Sequence, residues 1–212
     1  MNMKIKTGVR VSCCLFVLLS SLVALIFSIT GPRAYAAGSG GVTTFRFQGN
    51  TAFAVFNSYS PDNCVDTFVV VDGTQSRPGL EADVSISQYD VCTGTQLLFA
   101  YGSTFTPNFQ VSARLASASL SATISVFDEV SGNTFPVSVS MTWTATGPLS
   151  RAVGSEHLQF GNIIQNFRMN DTFRDASASG TVSDGTTNFT PSPSVFTQIA
   201  SFINGEVDII HP

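Results

Sequence analysis

Only two histidines, His157 and His211, and four cysteines occur in 212 residues, so chemistry that needs a base, a thiolate or a metal ligand has few residues to draw on. A nucleophile needs a base beside it, and with lysine confined to Lys4 and Lys6 that base must be a histidine or an acid. The G-x-S-x-G elbow of serine hydrolases and the H-E-x-x-H helix of zinc proteases do not occur. A glycosidase requires only two carboxylates, and fourteen acids supply pairs so freely that their presence selects nothing. No catalytic residue, no metal and no cofactor is assigned.

Polar side chains concentrate between Thr144 and Asp175, where Arg151, Glu156, His157, Arg168, Asp171, Arg174 and Asp175 form the candidate polar patch. Loops on a rigid scaffold commonly carry function, although solvated ion pairs give the same pattern. Asp62-Asn63-x-x-Asp66 and Asn170-Asp171-x-x-x-Asp175 offer oxygen ligands, but neither has the spacing of a calcium-binding EF-hand loop. Asx residues start turns for local reasons. Asn170-Asp171-Thr172 and Asn188-Phe189-Thr190 are formal N-glycosylation sequons, which have meaning only in a eukaryotic secretory route.

Both remaining questions of covalent chemistry turn on compartment. Lys4, Lys6 and Arg10 precede an uncharged stretch from Val11 to Ile29, then Gly31-Pro32 and the small-residue motif Ala34-Tyr35-Ala36. That is the layout of a cleavable signal peptide, cut between Ala36 and Ala37. The alternative is an uncleaved helical anchor, since nineteen residues at about 1.5 Å each nearly cross a hydrocarbon core of about 30 Å. Cys13 and Cys14 lie at the front of the apolar stretch, where a lipidation cysteine does not belong. Cleavage leaves Cys64 and Cys92, an even pair expected to be joined outside the cell. Two cysteines without a nearby histidine are poor material for zinc.

Beyond residue 36 the chain holds six arginines and no lysine against all fourteen acids, hence a net charge of −8. Such a chain cannot neutralise phosphates, so nucleic acid is excluded as a partner, and so is membrane after cleavage. Extracellular glycan or protein remains the candidate partner class.

Strands must position whatever site exists. Leu80, Ala82, Val84 and Ile86 alternate with Glu81, Asp83, Ser85 and Ser87, and period two marks a half-buried strand. Leu120 to Val126 and Phe135 to Trp143 alternate in the same way. Phe68-Val69-Val70-Val71 is apolar throughout and reads as a central strand covered on both sides. Weaker strand candidates are Thr43–Phe47, Ala52–Phe56, Leu97–Tyr101, Phe109–Leu115, Phe173–Val182 and Ile203–Ile210, while Val195, Ile199 and Phe202 share a helical face. Asp72-Gly73, Thr93-Gly94, Ser131-Gly132, Asp184-Gly185 and Asn204-Gly205 read as turns. Pro136 requires an edge or a bulge. Residues 84–95 and 122–133 echo each other as strand, aspartate, loop and glycine, either by duplication or because hairpins converge on that turn. The single Trp143 falls on a core face, leaving Tyr59, Tyr89 and Tyr101 as aromatics available to a sugar.

The Cys92-Thr93-Gly94-Thr95 turn, Met141-Thr142-Trp143-Thr144-Ala145-Thr146-Gly147 and Thr181 to Phe189 resemble secreted bacterial β proteins of no assigned function. The resemblance implies export and a bacterial source and transfers no catalytic residue. The expected organisation is a signal peptide (1–36), a flexible N-terminus (37–41) and one all-β domain (42–212), an antiparallel β-sandwich with a β-barrel as alternative. The expected product is secreted and non-catalytic, with a surface-recognition or structural role. The alternatives are a carbohydrate-binding module and a polymer hydrolase working through paired carboxylates.

Overall fold

The computed structural model describes residues 42–76, 79–106, 108–160 and 163–210. The predicted signal peptide, its cleavage site at Ala36 and Ala37, and the flexible 37–41 segment lie outside the described residues. Ten strands account for most of the rest: β1 (Val42–Tyr59), β2 (Val65–Ser76), β3 (Gly79–Asp90), β4 (Thr95–Phe105), β5 (Phe109–Val111), β6 (Ser117–Asp128), β7 (Thr134–Ala145), β8 (Ser150–Phe160), β9 (Ile163–Ser183) and β10 (Ser194–Ile210). No helix among the described residues is long and apolar enough to cross a membrane.

Every strand pairing is antiparallel, and the order β1-β2-β3-β4-β6-β7-β9-β10 returns to β1, so the strands form a ring. Strand β9 is shared along its length: residues 163–173 pair with β8, 164–175 with β10 and 176–183 with β7. The ring is thinnest between β4 and β6, which pair only through Ala100–Asp128 and Tyr101–Phe127. There the buried Asp128 carboxylate accepts N–H bonds from Phe99, Val130 and Ser131, tying β4 to the turn after β6. Burial pushes that carboxyl up, but these hydrogen bonds outweigh it and hold it below its ordinary range.

Alternation explains the core. Ala82, Val84 and Ile86 of β3 point inward with Val69 and Val71 of β2, Ile124 and Val126 of β6, and Val137, Val139, Met141 and Trp143 of β7. Trp143 is fully buried, as its alternation predicts. Pro136 lies opposite Ser125 of β6, in the part of β7 that precedes its pairing with β9 at Ser138, so the missing N–H falls on a locally open edge.

Several sequence readings need correction. Asp72-Gly73 is no turn but mid-strand in β2: a Cβ on Gly73 would come within 2.4 Å of the Phe109 ring, so this glycine makes room for a core aromatic. Asn204-Gly205 lies inside β10 beside a register shift. The expected strand at Phe109–Leu115 is three residues of β5 followed by a 3-10 turn at Ala113–Leu115, and the helical pattern at Val195–Phe202 is strand, because pairing to β1 and β9 on both sides overrides it. Phe68 is not covered on both sides; it is 37% exposed, while Val69 and Val71 are buried.

The echoed segments build the same turn. Asp90 accepts N–H bonds from Cys92 and Thr93, and Gly94, with φ of 73°, donates to the Asp90 carbonyl. Asp128 does the same for Val130 and Ser131, with Gly132 at φ 72°. Each turn needs a left-handed residue at its fifth position, and glycine takes it without strain.

Cys64 and Cys92 are joined, with Cα atoms 5.2 Å apart, fastening the β1–β2 turn to the β3–β4 turn. Reduction is expected to cost about 3 kcal/mol on the loop-entropy account. A drop in thermal midpoint of several degrees on adding reductant checks this, and an unchanged midpoint would count against it.

Candidate functional site

The seven residues of the polar patch do not converge. Arg151 and His157 are exposed on β8, where Arg151 Nε donates to Asn170 Oδ1 at 3.1 Å and His157 Nδ1 lies 2.7 Å from Asn166 Oδ1. Arg168, opposite Ser155, shares their face by register, and Glu156 sits in β8 opposite Phe167. Asp171 and Asp175 occupy the alternate positions of β9 and so belong to the other face. Asp171 is buried, and burial pushes its carboxyl up against backbone hydrogen bonds that lower it. Arg174, at the same parity of β9 as Arg168, is half-buried. The patch is therefore two faces of one sheet.

The first oxygen-rich loop is locally satisfied, whereas Asp171 Oδ1 in the second segment is buried without a hydrogen-bond partner. Asp62 accepts from the Ser60 hydroxyl and the Cys64 N–H, and Asp66 accepts from Asn57 Nδ2 at 2.7 Å. Asn170 and Asp171 are neighbours on a strand and face opposite ways. Among the described residues, no three histidines, cysteines or acids are grouped to hold a metal.

A hollow of about 490 Å³ opens among Gln88, Leu97, Leu98, Phe135, Pro136, Asp184, Thr186, Thr187 and Phe189. It carries one carboxylate, Asp184, whose Oδ1 accepts from both Thr186 and Thr187, so it offers no acid pair. The closest pair of acids in register is elsewhere: Asp72 of β2 stands directly opposite Asp83 of β3, with Glu81 two residues along. Asp72 is 3% exposed and its oxygens accept from Thr51 at 2.8 Å and Thr74 at 2.9 Å. Burial pushes its carboxyl up to about 6, and burial with the neighbouring Asp72 and Glu81 charges pushes Asp83 up to about 8. Burial raises Glu81 as well, against a hydrogen bond with Ser103. An acid whose two oxygens are taken up and covered is a poor reactant toward a polymer.

The outer face of the same strands is different in character at its disulfide end. Because Val69 and Ile86 point inward, their alternate neighbours point out, and register lines these up in rows. Tyr59, Asp66, Tyr89 and Gln96 form one row across β1 to β4; Asn57, Phe68, Ser87 and Phe99 form the next; Val70, Ser85, Tyr101 and Phe127 of β6 form the third. Phe68 and Phe99 are each 37% exposed, Tyr89 40%, Phe127 42% and Tyr59 55%, and Tyr101 is half-buried. Six aromatic rings thus share one solvent-facing surface, with Phe99 and Tyr101 centred 6.0 Å apart.

Polar groups between the rings are held in place. Gln96 Nε2 donates to Ser87 Oγ at 3.1 Å, Tyr101 O–H donates to Glu129 Oε1 at 3.1 Å, and Asn57 reaches Asp66. Sequence reasoning reached the three tyrosines and missed Phe68, Phe99 and Phe127. Phe127 was legible by extending the alternation of Leu120 to Val126 by one residue. Phe68 and Phe99 were hidden in apolar runs whose parity only pairing reveals.

No protein family, no curated protein and no solved structure matches the chain.

Proposed function

We propose that the protein is an exported, non-catalytic recognition domain that binds glycan at the cell exterior through the outer face of β1 to β4 and Phe127. The observation that carries this reading is the six-aromatic surface. A soluble β protein ordinarily turns hydroxyls and charges outward, and a contiguous exposed apolar patch rimmed by polar groups marks a binding surface. Flat rings stack on the C–H faces of sugars, while the ordered Asn57, Ser87 and Gln96 groups suit sugar hydroxyls. The face spans four strands, about 14 Å at about 4.8 Å per strand, wide enough for a run of sugar units.

Export is supported by the N-terminal charge and hydropathy pattern together with the disulfide, which persists in oxidising compartments. We read the ring as flattened toward a sandwich. The two-pair joint between β4 and β6 supports this, because a round barrel shares pairing more evenly among its strands.

Co-sedimentation with insoluble polysaccharides tests the function. The protein is expected to leave the supernatant with at least one glycan of a neutral and amino-sugar panel. Full recovery in the supernatant across the panel would refute the reading.

A further inference from the structure

We infer that the glycan bound by the aromatic face carries cationic amino groups, as an amino-sugar polymer does, an inference that rests on the glycan-binding reading itself. The charges around the face are all of one sign. Asp66 sits in register between Tyr59 and Tyr89, and Glu129 is bonded to Tyr101 and donates its own N–H to the Phe99 carbonyl. Asp62 and Asp90 hold the two turns joined by the disulfide, beside the same row. Hydrogen bonds from Ser60 and Cys64 hold Asp62 below the usual carboxylate range, and those from Thr93 and Cys92 do the same for Asp90. Both stay ionised in mildly acidic medium.

Among the described residues, no lysine or arginine lies in the rows or turns that carry these acids. Between Gln48 and Ala113 the only lysine or arginine in the sequence is Arg77, and none occurs from Leu115 to Ser150. An anionic polymer would be repelled along the whole face, and a neutral one would gain nothing from its charge. A protonated amine gains twice, from the carboxylates and from ring faces that attract cations. The neutral hydrogen-bonding groups interleaved with the rings at strand spacing favour a repeating hydroxylated chain over a lysine-rich protein, whose side chains carry no hydroxyls for Asn57, Ser87 and Gln96 to meet.

A matched pair of probes isolates the amine: a β-1,4-linked N-acetylglucosamine hexamer and its fully deacetylated counterpart, titrated into the full-length protein at about pH 5.5, where carboxyls of ordinary pKa are mostly ionised. The deacetylated hexamer is expected to bind at least about tenfold more tightly at low salt, with the advantage shrinking as salt screens the charges. The ratio of the two affinities is also expected to fall to about one in a D66N/E129Q variant, whatever its affinity for the acetylated hexamer. Equal binding of the two hexamers would overturn the inference and leave the aromatic reading standing. Binding of neither would overturn both, and a lysine octapeptide that bound when neither hexamer did would point to a basic protein partner instead.

Discussion

Changing Phe68 and Phe99 together to alanine is expected to weaken glycan binding by roughly 10- to 100-fold. The two rings stand in one row on either side of Ser87, two strands apart, and both are more than a third exposed. Central aromatics of a binding surface commonly cost more than about 1 kcal/mol each when truncated, and about 1.4 kcal/mol is a factor of ten. Neither ring belongs to the buried core, so the variant should keep its strand content and lose at most a few degrees of thermal midpoint. Calorimetric titration beside a melting curve separates the two effects. Binding that survives the double change would remove the aromatic face from the account.

The second large effect is on stability against pH. Asp72 and Asp83 face each other across β2 and β3, and like charges placed directly opposite disfavour the fold. Their carboxyls are pushed up to about 6 and about 8 in the folded chain, from near 4 when unfolded. The folded state therefore holds more protons than the unfolded one between about pH 4 and pH 8, and stability falls as pH rises through that window. Asp62, Asp90 and Asp184 act in the opposite sense: lowered by their hydrogen bonds, they stabilise the fold above about pH 4 and lose that contribution as the medium becomes more acidic. The stability maximum is expected on the acid side of neutrality. Denaturation midpoints for D83N, which removes one charge of the opposed pair, should rise relative to wild type at pH 8 and differ little at pH 5. A wild-type midpoint that climbs steadily from pH 5 to pH 8 would contradict the assignment.

Alternation made the three strongest strands legible, because Leu80 to Ile86, Leu120 to Val126 and Phe135 to Trp143 bury one face and leave the other to serine, threonine or acid. The disulfide followed from number and compartment. What failed had a common cause in pairing. Gly73 looked like a turn because its reason, the Phe109 ring pressed against it, comes from a distant strand. The helical spacing of Val195, Ile199 and Phe202 was overruled by pairing of β10 on both sides. The seven-residue polar patch was assembled by proximity in sequence, which on a strand distributes neighbours to opposite faces. The aromatic face runs the other way: its rings come from β1, β2, β3, β4 and β6, and only register assembles them.

The most direct test of the central claim is amide shift mapping of the isotopically labelled protein during titration with the glycan that sediments it. The account predicts perturbations concentrated at residues 57–59, 66–68, 85–89, 96–101 and 127–129, the outer rows and the turn beside them. Perturbations confined instead to the hollow around Phe135, Thr186 and Thr187, with the aromatic rows unmoved, would contradict it.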